Sequence, residues 1–293
     1  MSRTEFSALY NRWPSRMTEP VVLLGLGFTT QRLARKLCAD GVPVFAAVRG
    51  PERFAEFEAL GVRFCPLRPE GIPRGAALVH TIPPLNDAEK SATRTLIREI
   101  SPRRILYISS TSVYGAQDRV SETSPVAPID DKGAARVDEE EWIASPQAPW
   151  TSLILRSAAI YGPGRGIQVR LREGKFPRGA GGVVSRIHVD DLAALLGAGI
   201  RSELTGAWPV ADGLPAASEE VAAWCAEFIG WPLPDASTGF PVVGRSVDGT
   251  AIRKLLGVSL KYSSYQTGIP ASLREEGWNP RVSRPSRSQV SSR

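Results

Sequence analysis

The stretch Val21-Val22-Leu23-Leu24-Gly25-Leu26-Gly27-Phe28-Thr29-Thr30-Gln31-Arg32-Leu33-Ala34 decides the fold. Four apolar residues suit a strand buried on both faces, the run breaks at two glycines, and the continuation is amphipathic. It predicts strand, tight turn, helix. Gly25 permits the sharp turn, and Gly27, lacking a Cβ, lets a pyrophosphate approach the backbone. The helix that begins near Thr29, just past Phe28, points free N–H groups and its positive dipole end at that place. The third glycine of G-x-G-x-x-G is replaced by Thr30. That glycine gives close helix–strand packing, so Thr30 is expected to push the helix slightly outward. A G-x-G alone also fits an ordinary turn entering a helix, and the surroundings decide.

Downstream the pattern alternates. Val42 to Val48 reads as a second strand, Pro51 to Leu60 as a helix with Phe54, Phe57 and Leu60 on one side, and Val62 to Cys65 as a third strand. Ala76 to Ile82 is a fourth strand, Asp87 to Ile100 a helix and Arg104 to Ser109 a fifth strand. This alternation implies an α/β fold with a doubly wound parallel Rossmann sheet. The expected organisation is a flexible leader over 1–19, a dinucleotide-binding domain over 20–165, and a smaller substrate lobe over 166–278 with some elements returning to the sheet. A disordered basic tail over 279–293 completes it. Met17, just before the first strand, is a candidate alternative start.

The second strand's end bears on cofactor choice. NAD-preferring folds put an acid about 20 residues past the glycines, on the ribose 2′-OH. Here Arg49 occupies that place, with Arg53 one turn later. A guanidinium fork matches a 2′-phosphate, which favours NADP over NAD. Both arginines also read as solvated charges at a helix start.

Composition narrows the function classes. The chain has 293 residues and a formal charge of +6, but four arginines and no acid lie in the last fifteen residues. The body from Pro20 to Trp278 is nearly neutral, which argues against nucleic-acid binding by the folded part. Cys38, Cys65 and Cys225 are scattered in apolar contexts without C-x-x-C spacing and read as buried residues of a reducing cytoplasm. No run approaches the roughly 18 apolar residues of a membrane span. Only two histidines exist, His80 and His188, so no histidine-built metal site is expected. His80-Thr81-Ile82-Pro83 closes the fourth strand at the sheet's carboxyl edge, which puts Thr81 beside a bound cofactor.

Three ordered motifs follow: Ile108-Ser109-Ser110-Thr111-Ser112-Val113-Tyr114-Gly115, then Leu155-Arg156-Ser157-Ala158-Ala159-Ile160-Tyr161-Gly162-Pro163-Gly164-Arg165, then Ile187-His188-Val189-Asp190-Asp191-Leu192-Ala193. Behind the glycine turn they closely resemble the extended short-chain dehydrogenase/reductase family, its NAD(P)-dependent epimerase/dehydratase branch, over roughly Val21 to Gly268. The resemblance implies a hydride transfer on a carbonyl or secondary alcohol of a small molecule, a nucleotide-linked sugar included. It implies Ser110 as the hydroxyl that bonds the reacting oxygen, Ala159 beside the nicotinamide, and homodimers paired through helices. Without the resemblance, Ser110 reads equally as a hydroxyl capping a strand-end turn.

The family's Tyr-x-x-x-Lys is missing. Aligned on Gly133, Lys132 stands for the tyrosine and Arg136 for the lysine. Arg136 can still hold the cofactor ribose. Lys132 is the acid–base candidate if like charge and burial lower its pKa, and a solvated helix-face charge otherwise. An enzyme and a catalytically degenerate NADP(H)-binding sensor or scaffold both remain open at this point. In the third motif, Asp190 or Asp191 is expected to cap the helix through Leu192, and His188 to be structural. Ser218 to Ile229 reads as a helix with Val221, Cys225, Phe228 and Ile229 on its packed side.

Overall fold

The computed structural model describes residues 19–83, 86–179, 182–234, 240–242 and 244–278. The basic tail and the leader with Met17 lie outside the described residues, apart from Glu19, whose carboxylate meets Arg103 at 2.5 Å.

Strand β1 (Val21–Leu24) is buried along its whole length. Period-two alternation sends Val21 and Leu23 into one apolar layer and Val22 and Leu24 into the other. The chain then alternates through α1 (Phe28–Ala39), β2 (Val44–Ala47), α2 (Ala55–Ala59), β3 (Arg63–Cys65), β4 (Ala77–His80), α3 (Asp87–Ile100) and β5 (Arg104–Ser110). It continues through α4 (Asp131–Ile143), β6 (Thr151–Ser157), β7 (Ala159–Tyr161), α5 (Ile167–Arg172), β8 (Arg186–His188), α6 (Val189–Ile200) and β9 (Gly206–Val210). The main sheet has seven parallel strands in the order β9-β6-β5-β4-β1-β2-β3. The winding reverses between β1 and β4, and ligands of such sheets bind outside the strands' carboxyl ends at that reversal.

Leu33 and Leu37 of α1 and Leu192, Leu195 and Leu196 of α6 cover one face of the sheet. Leu96, Ile97 and Ile100 of α3 and Ile143 of α4 cover the other. A separate apolar cluster joins Tyr161 and Leu171 to α7 (Ser218–Ile229) and α9 (Tyr265–Glu275), while α8 (Thr250–Leu255) packs Ile252 back under the sheet.

Several local expectations are corrected. Pro51–Phe54 is a 3-10 turn and only Ala55–Ala59 is α-helical, because Phe54 departs from helical geometry (φ −125°, ψ 25°) between them. Helix α6 is capped by neither aspartate. His188 Nδ1 accepts from the Asp190 amide at 3.2 Å, while the buried Asp191 carboxylate accepts from the amides of Lys261 (2.7 Å) and Tyr262 (3.0 Å). Phe228 faces outward, 41% exposed, because it stacks on Trp224 at 5.2 Å instead of joining Val221 and Cys225 inside.

Thr30 does more than occupy the missing glycine's space. It is 1% exposed, and its Oγ1 accepts the Gly27 N–H at 2.8 Å and lies 3.0 Å from the Gly25 carbonyl, to which it donates. The hydroxyl thus closes the turn from inside. Thr30→Val should destabilise the fold by about 1–3 kcal/mol, because the Gly27 N–H is left without its partner. Thr30→Ser should keep most of the stability, and urea denaturation of both variants checks this.

Candidate functional site

The carboxyl ends of β1, β4, β5 and β6 open into a cavity of about 550 Å³. Gly27, Phe28 and Thr29 form one wall, Thr81 and Pro83 a second, Ser109 to Ser112 a third, and Ser157 to Ile160 the opposite side. Arg136, Arg165 and Arg245 project into it, with Asp130 and Ile129 at the rim.

The glycine wall is formed by chemistry that the sequence dictates. Gly25 holds φ +91°, a conformation that favours glycine, and a Cβ there would touch Ile82 at 3.4 Å. A Cβ on Gly27 would meet nothing within 4 Å, so this backbone is open to a ligand. The first helical bond of α1 runs from Gln31 N–H to the Gly27 carbonyl, at 2.9 Å, so the amides of Phe28 and Thr29 have no acceptor within the helix. Thr81 ties β4 to β1 through its hydroxyl, 3.4 Å from the Leu24 carbonyl.

On the β5 side, Ser110 Oγ accepts the Ser112 amide at 3.1 Å, which leaves its hydroxyl hydrogen free to donate. Arg136, from α4, donates from Nη1 to the Ile108 carbonyl (3.0 Å) and the Tyr107 hydroxyl (3.3 Å). Burial pushes the Tyr107 phenol up to about 12, so it stays protonated and supports the guanidinium as a neutral partner. Arg245 reaches in from the far end of the chain and donates to the Gly115 carbonyl at 2.7 Å and to the Thr111 carbonyl. The Arg165 guanidinium lies 5.3 Å from the Phe28 ring centroid. Among the described residues, no carboxylate oxygen lies within 4 Å of Arg136, Arg165 or Arg245. Three unpaired guanidiniums around one concavity favour an anionic ligand.

The structure brings together Gly27, Phe28, Thr29, Thr81, Ser110, Arg136 and Ala159 in this lining. Gly25 and Thr30 lie behind it as the frame of the turn. Lys132, in the first turn of α4, is exposed and outside the lining. Arg49 and Arg53 are exposed beyond β2: Arg49 meets Glu89 at 3.1 Å, and Arg53 lies 5.7 Å from the Phe54 ring centroid. His80 is buried, stacked on Tyr107 at 5.0 Å and 3.4 Å from Glu139. Tyr114 is buried beneath Arg156, which also pairs with Glu140 at 2.7 Å. Arg165 and Arg245 were not singled out by sequence. Arg165 carried a signal, since it directly follows the Y-G-P-G turn, whereas Arg245 carried none because its contacts lie more than a hundred residues away.

A comparison with protein-family models finds none that matches. Protein YeeZ of Escherichia coli (strain K12) is 31% identical over 194 residues, which is 59% of this chain and 69% of that protein. A conserved protein of unknown function from Silicibacter pomeroyi DSS superposes with a TM-score of 0.71 at 29% identity, covering 88% of this chain and 99% of that one. UDP-glucose 4-epimerase from Bifidobacterium longum, solved with NAD+ and UDP, gives a TM-score of 0.70 at 17% identity, over 90% and 99% of the two chains. By sequence the chain is a relative of Protein YeeZ, and it shares the fold of solved nucleotide-sugar epimerases and dehydratases. Its cavity lies at the carboxyl edge of the sheet, where sheets of this fold take ligands. Among the described residues, no helix is long and apolar enough to cross a membrane, and no cluster of three or more His, Cys, Asp or Glu could hold a metal ion.

His188, in the third of the sequence motifs, is a packing residue. It sits 1% exposed between Tyr161 and Tyr262, with Nε2 3.1 Å from Ser272 Oγ. Burial, reinforced by the nearby positive charges of Arg32 and Lys261, pushes its imidazole down to about 4. The unfolded chain, with an ordinary histidine pKa of about 6.5, then binds this proton more readily than the folded one. His188 should therefore cost the fold stability as pH falls from about 6.5 towards 4, by at most about 3 kcal/mol. Urea denaturation across that window should lose part of its slope in His188→Asn, which keeps a capping side chain.

Proposed function

We propose that this protein binds NADP(H) in the main cavity and passes a hydride between it and a carbonyl or secondary alcohol of a small molecule. The observation that carries the reading is the meeting of the open Gly27 backbone and free α1 amides with Ser110, Arg136 and Ala159 in one cationic cleft. The residues fit the cofactor: the Phe28 and Thr29 amides would take its diphosphate, Arg136 a ribose hydroxyl, and Arg49, released from Glu89, the 2′-phosphate. When bound, NADPH supplies a hydride equivalent. Ser110 donates its free hydroxyl hydrogen to the substrate oxygen and so stabilises the charge that develops there. Lys132, at the outer end of α4, is the acid–base candidate that would exchange the proton with solvent. The nucleotide sugars bound by structural relatives are one candidate substrate class.

A second reading has a specific observation behind it. Among the described lining residues there is no Tyr, Lys, His or Glu. The one carboxyl, Asp130, is engaged by the Gly133 amide at 2.6 Å. A cavity that keeps the cofactor's contacts without a titrating donor also suits an NADP(H)-binding sensor or scaffold.

Two measurements test these readings. Arg49→Asp should weaken NADP+ binding by about tenfold or more, the worth of a charge-assisted phosphate contact, while changing NAD+ affinity little. Equal losses for both cofactors, by calorimetry, would remove Arg49 from the phosphate site. NADPH oxidation over a panel of carbonyl compounds and sugar nucleotides should fall by about 10²-fold in Ser110→Ala and drop in Lys132→Ala. Tight NADPH binding with no turnover on the whole panel would favour the sensor.

A further inference from the structure

The turn Gly162-Pro163-Gly164-Arg165 follows β7 and brings Arg165 to the wall of the main cavity. Its backbone is pinned from several directions. Gly162 and Arg165 exchange backbone hydrogen bonds of 2.9 and 3.0 Å, and the buried Gln168 amide donates to the carbonyls of both, at 2.9 and 3.0 Å. The Gly164 N–H is held at 2.7 Å by Glu276, whose other oxygen takes Arg172 at 2.8 Å. Gly162 packs against the first residues of α1 and α6, where a Cβ would meet Phe28 Cζ at 3.2 Å and Val189 Cγ1 at 2.6 Å. The turn is therefore fixed against the N-terminal end of α1.

The three arginines of the cavity differ in what they have left to give. Arg136 is engaged by the Ile108 carbonyl and the Tyr107 hydroxyl, and Arg245 by the carbonyls of Thr111 and Gly115. Among the described residues the Arg165 guanidinium has no hydrogen-bond or ion-pair partner, and burial lowers its pKa with no carboxylate to offset it. Its one neighbour of note is the Phe28 ring, with the centroid 5.3 Å away. A ring face steadies a cation but uses none of its five N–H donors. Phe28 is also the first residue of α1, whose opening amides have no acceptor within the helix. A helix end and an unspent guanidinium thus stand beside one another on the same wall.

We propose that Arg165 is a second clamp on the cofactor's diphosphate, donating to its phosphate oxygens alongside the Phe28 and Thr29 amides. The inference rests on the NADP(H) reading above and adds to it a ligand from outside the strand-turn-helix unit. A diphosphate suits the pair because it spreads its charge over several oxygens, so helix amides and a planar guanidinium fork can bind it together. The pinned turn lowers the cost of that contact, since the backbone that carries the arginine is ordered before anything binds. NADP and NAD share the diphosphate, so Arg165 serves both. Arg49, by contrast, has a role only where a 2′-phosphate is present.

Calorimetry on the full chain tests this with NADP+, NAD+ and UDP-glucose as separate titrants. Arg165→Met keeps an apolar side chain against Phe28 and removes the charge, while Arg165→Lys keeps the charge without the fork. Both replace an exposed side chain, and the second serves if the first fails to fold. Arg165→Met should weaken NADP+ and NAD+ by the same factor, about ten- to a hundredfold, with the melting temperature unchanged. Arg165→Lys should recover only part of that loss. Undiminished affinity for both cofactors in Arg165→Met would overturn the clamp and leave the cofactor reading standing. A loss confined to NADP+ would overturn it by moving Arg165 to the 2′-phosphate, and a loss confined to UDP-glucose by giving Arg165 to a substrate anion. Wild-type protein that binds neither cofactor would sink the NADP(H) reading, and the clamp with it.

Discussion

The Thr30 hydroxyl, held between the Gly27 amide and the Gly25 carbonyl, joins the first strand to the first helix at a fixed angle. Much of the site follows from that junction. It consumes the Gly27 N–H, so a phosphate at this turn would have the Phe28 and Thr29 amides and the open face of Gly27 to bind, and no more of the backbone than that. It also seats Phe28 where its ring backs the Arg165 guanidinium. A polar side chain can stand where the motif has glycine because its hydrogen-bonding groups are satisfied inside the turn.

The α4 helix supplies the second constraint. Its first turn is fixed by Asp130 on the Gly133 amide, and its buried acids are held from the other side, Glu139 by Arg94 and His80 and Glu140 by Arg156. With the helix pinned at both levels, Arg136 is the residue turned onto the end of β5, where the Ile108 carbonyl and the Tyr107 phenol hold it. Lys132, one turn earlier, falls beyond the rim. Of the two residues that align with the family's tyrosine and lysine, Arg136 therefore faces the cavity and Lys132 lies outside it.

Local pattern carried the fold a long way. Apolar runs with turn residues between them located the strands and helices of the sheet, and helix limits such as Asp87–Ile100 and Ser218–Ile229 stand where the sequence pattern puts them. It did less well where two local signals competed. Pro51 to Leu60 has helical spacing, yet the turn after proline and the bend at Phe54 split it. Asp190 and Asp191 are ordinary capping residues, yet His188 is better placed to accept the amide and Asp191 is drawn off by a loop from the lobe. Phe228 follows the helical stripe in sequence, but its ring stacks on the partly buried Trp224 at the edge of the cluster.

The sequence by itself determined the doubly wound sheet, the glycine turn and the serine at the end of β5, because each depends on neighbours a few residues away. Only the tertiary structure decided which charges share the cavity. Arg245 meets Thr111 and Gly115 across more than a hundred residues, and Arg165 comes to the glycine turn through Phe28. A second cavity beside the first is likewise assembled from β7, α5, α7 and α9, and no periodicity records a space left between elements. The turn at Gly25 and Gly27 could announce an open backbone at the start of a helix from its own sequence, but what stands opposite it was settled by packing.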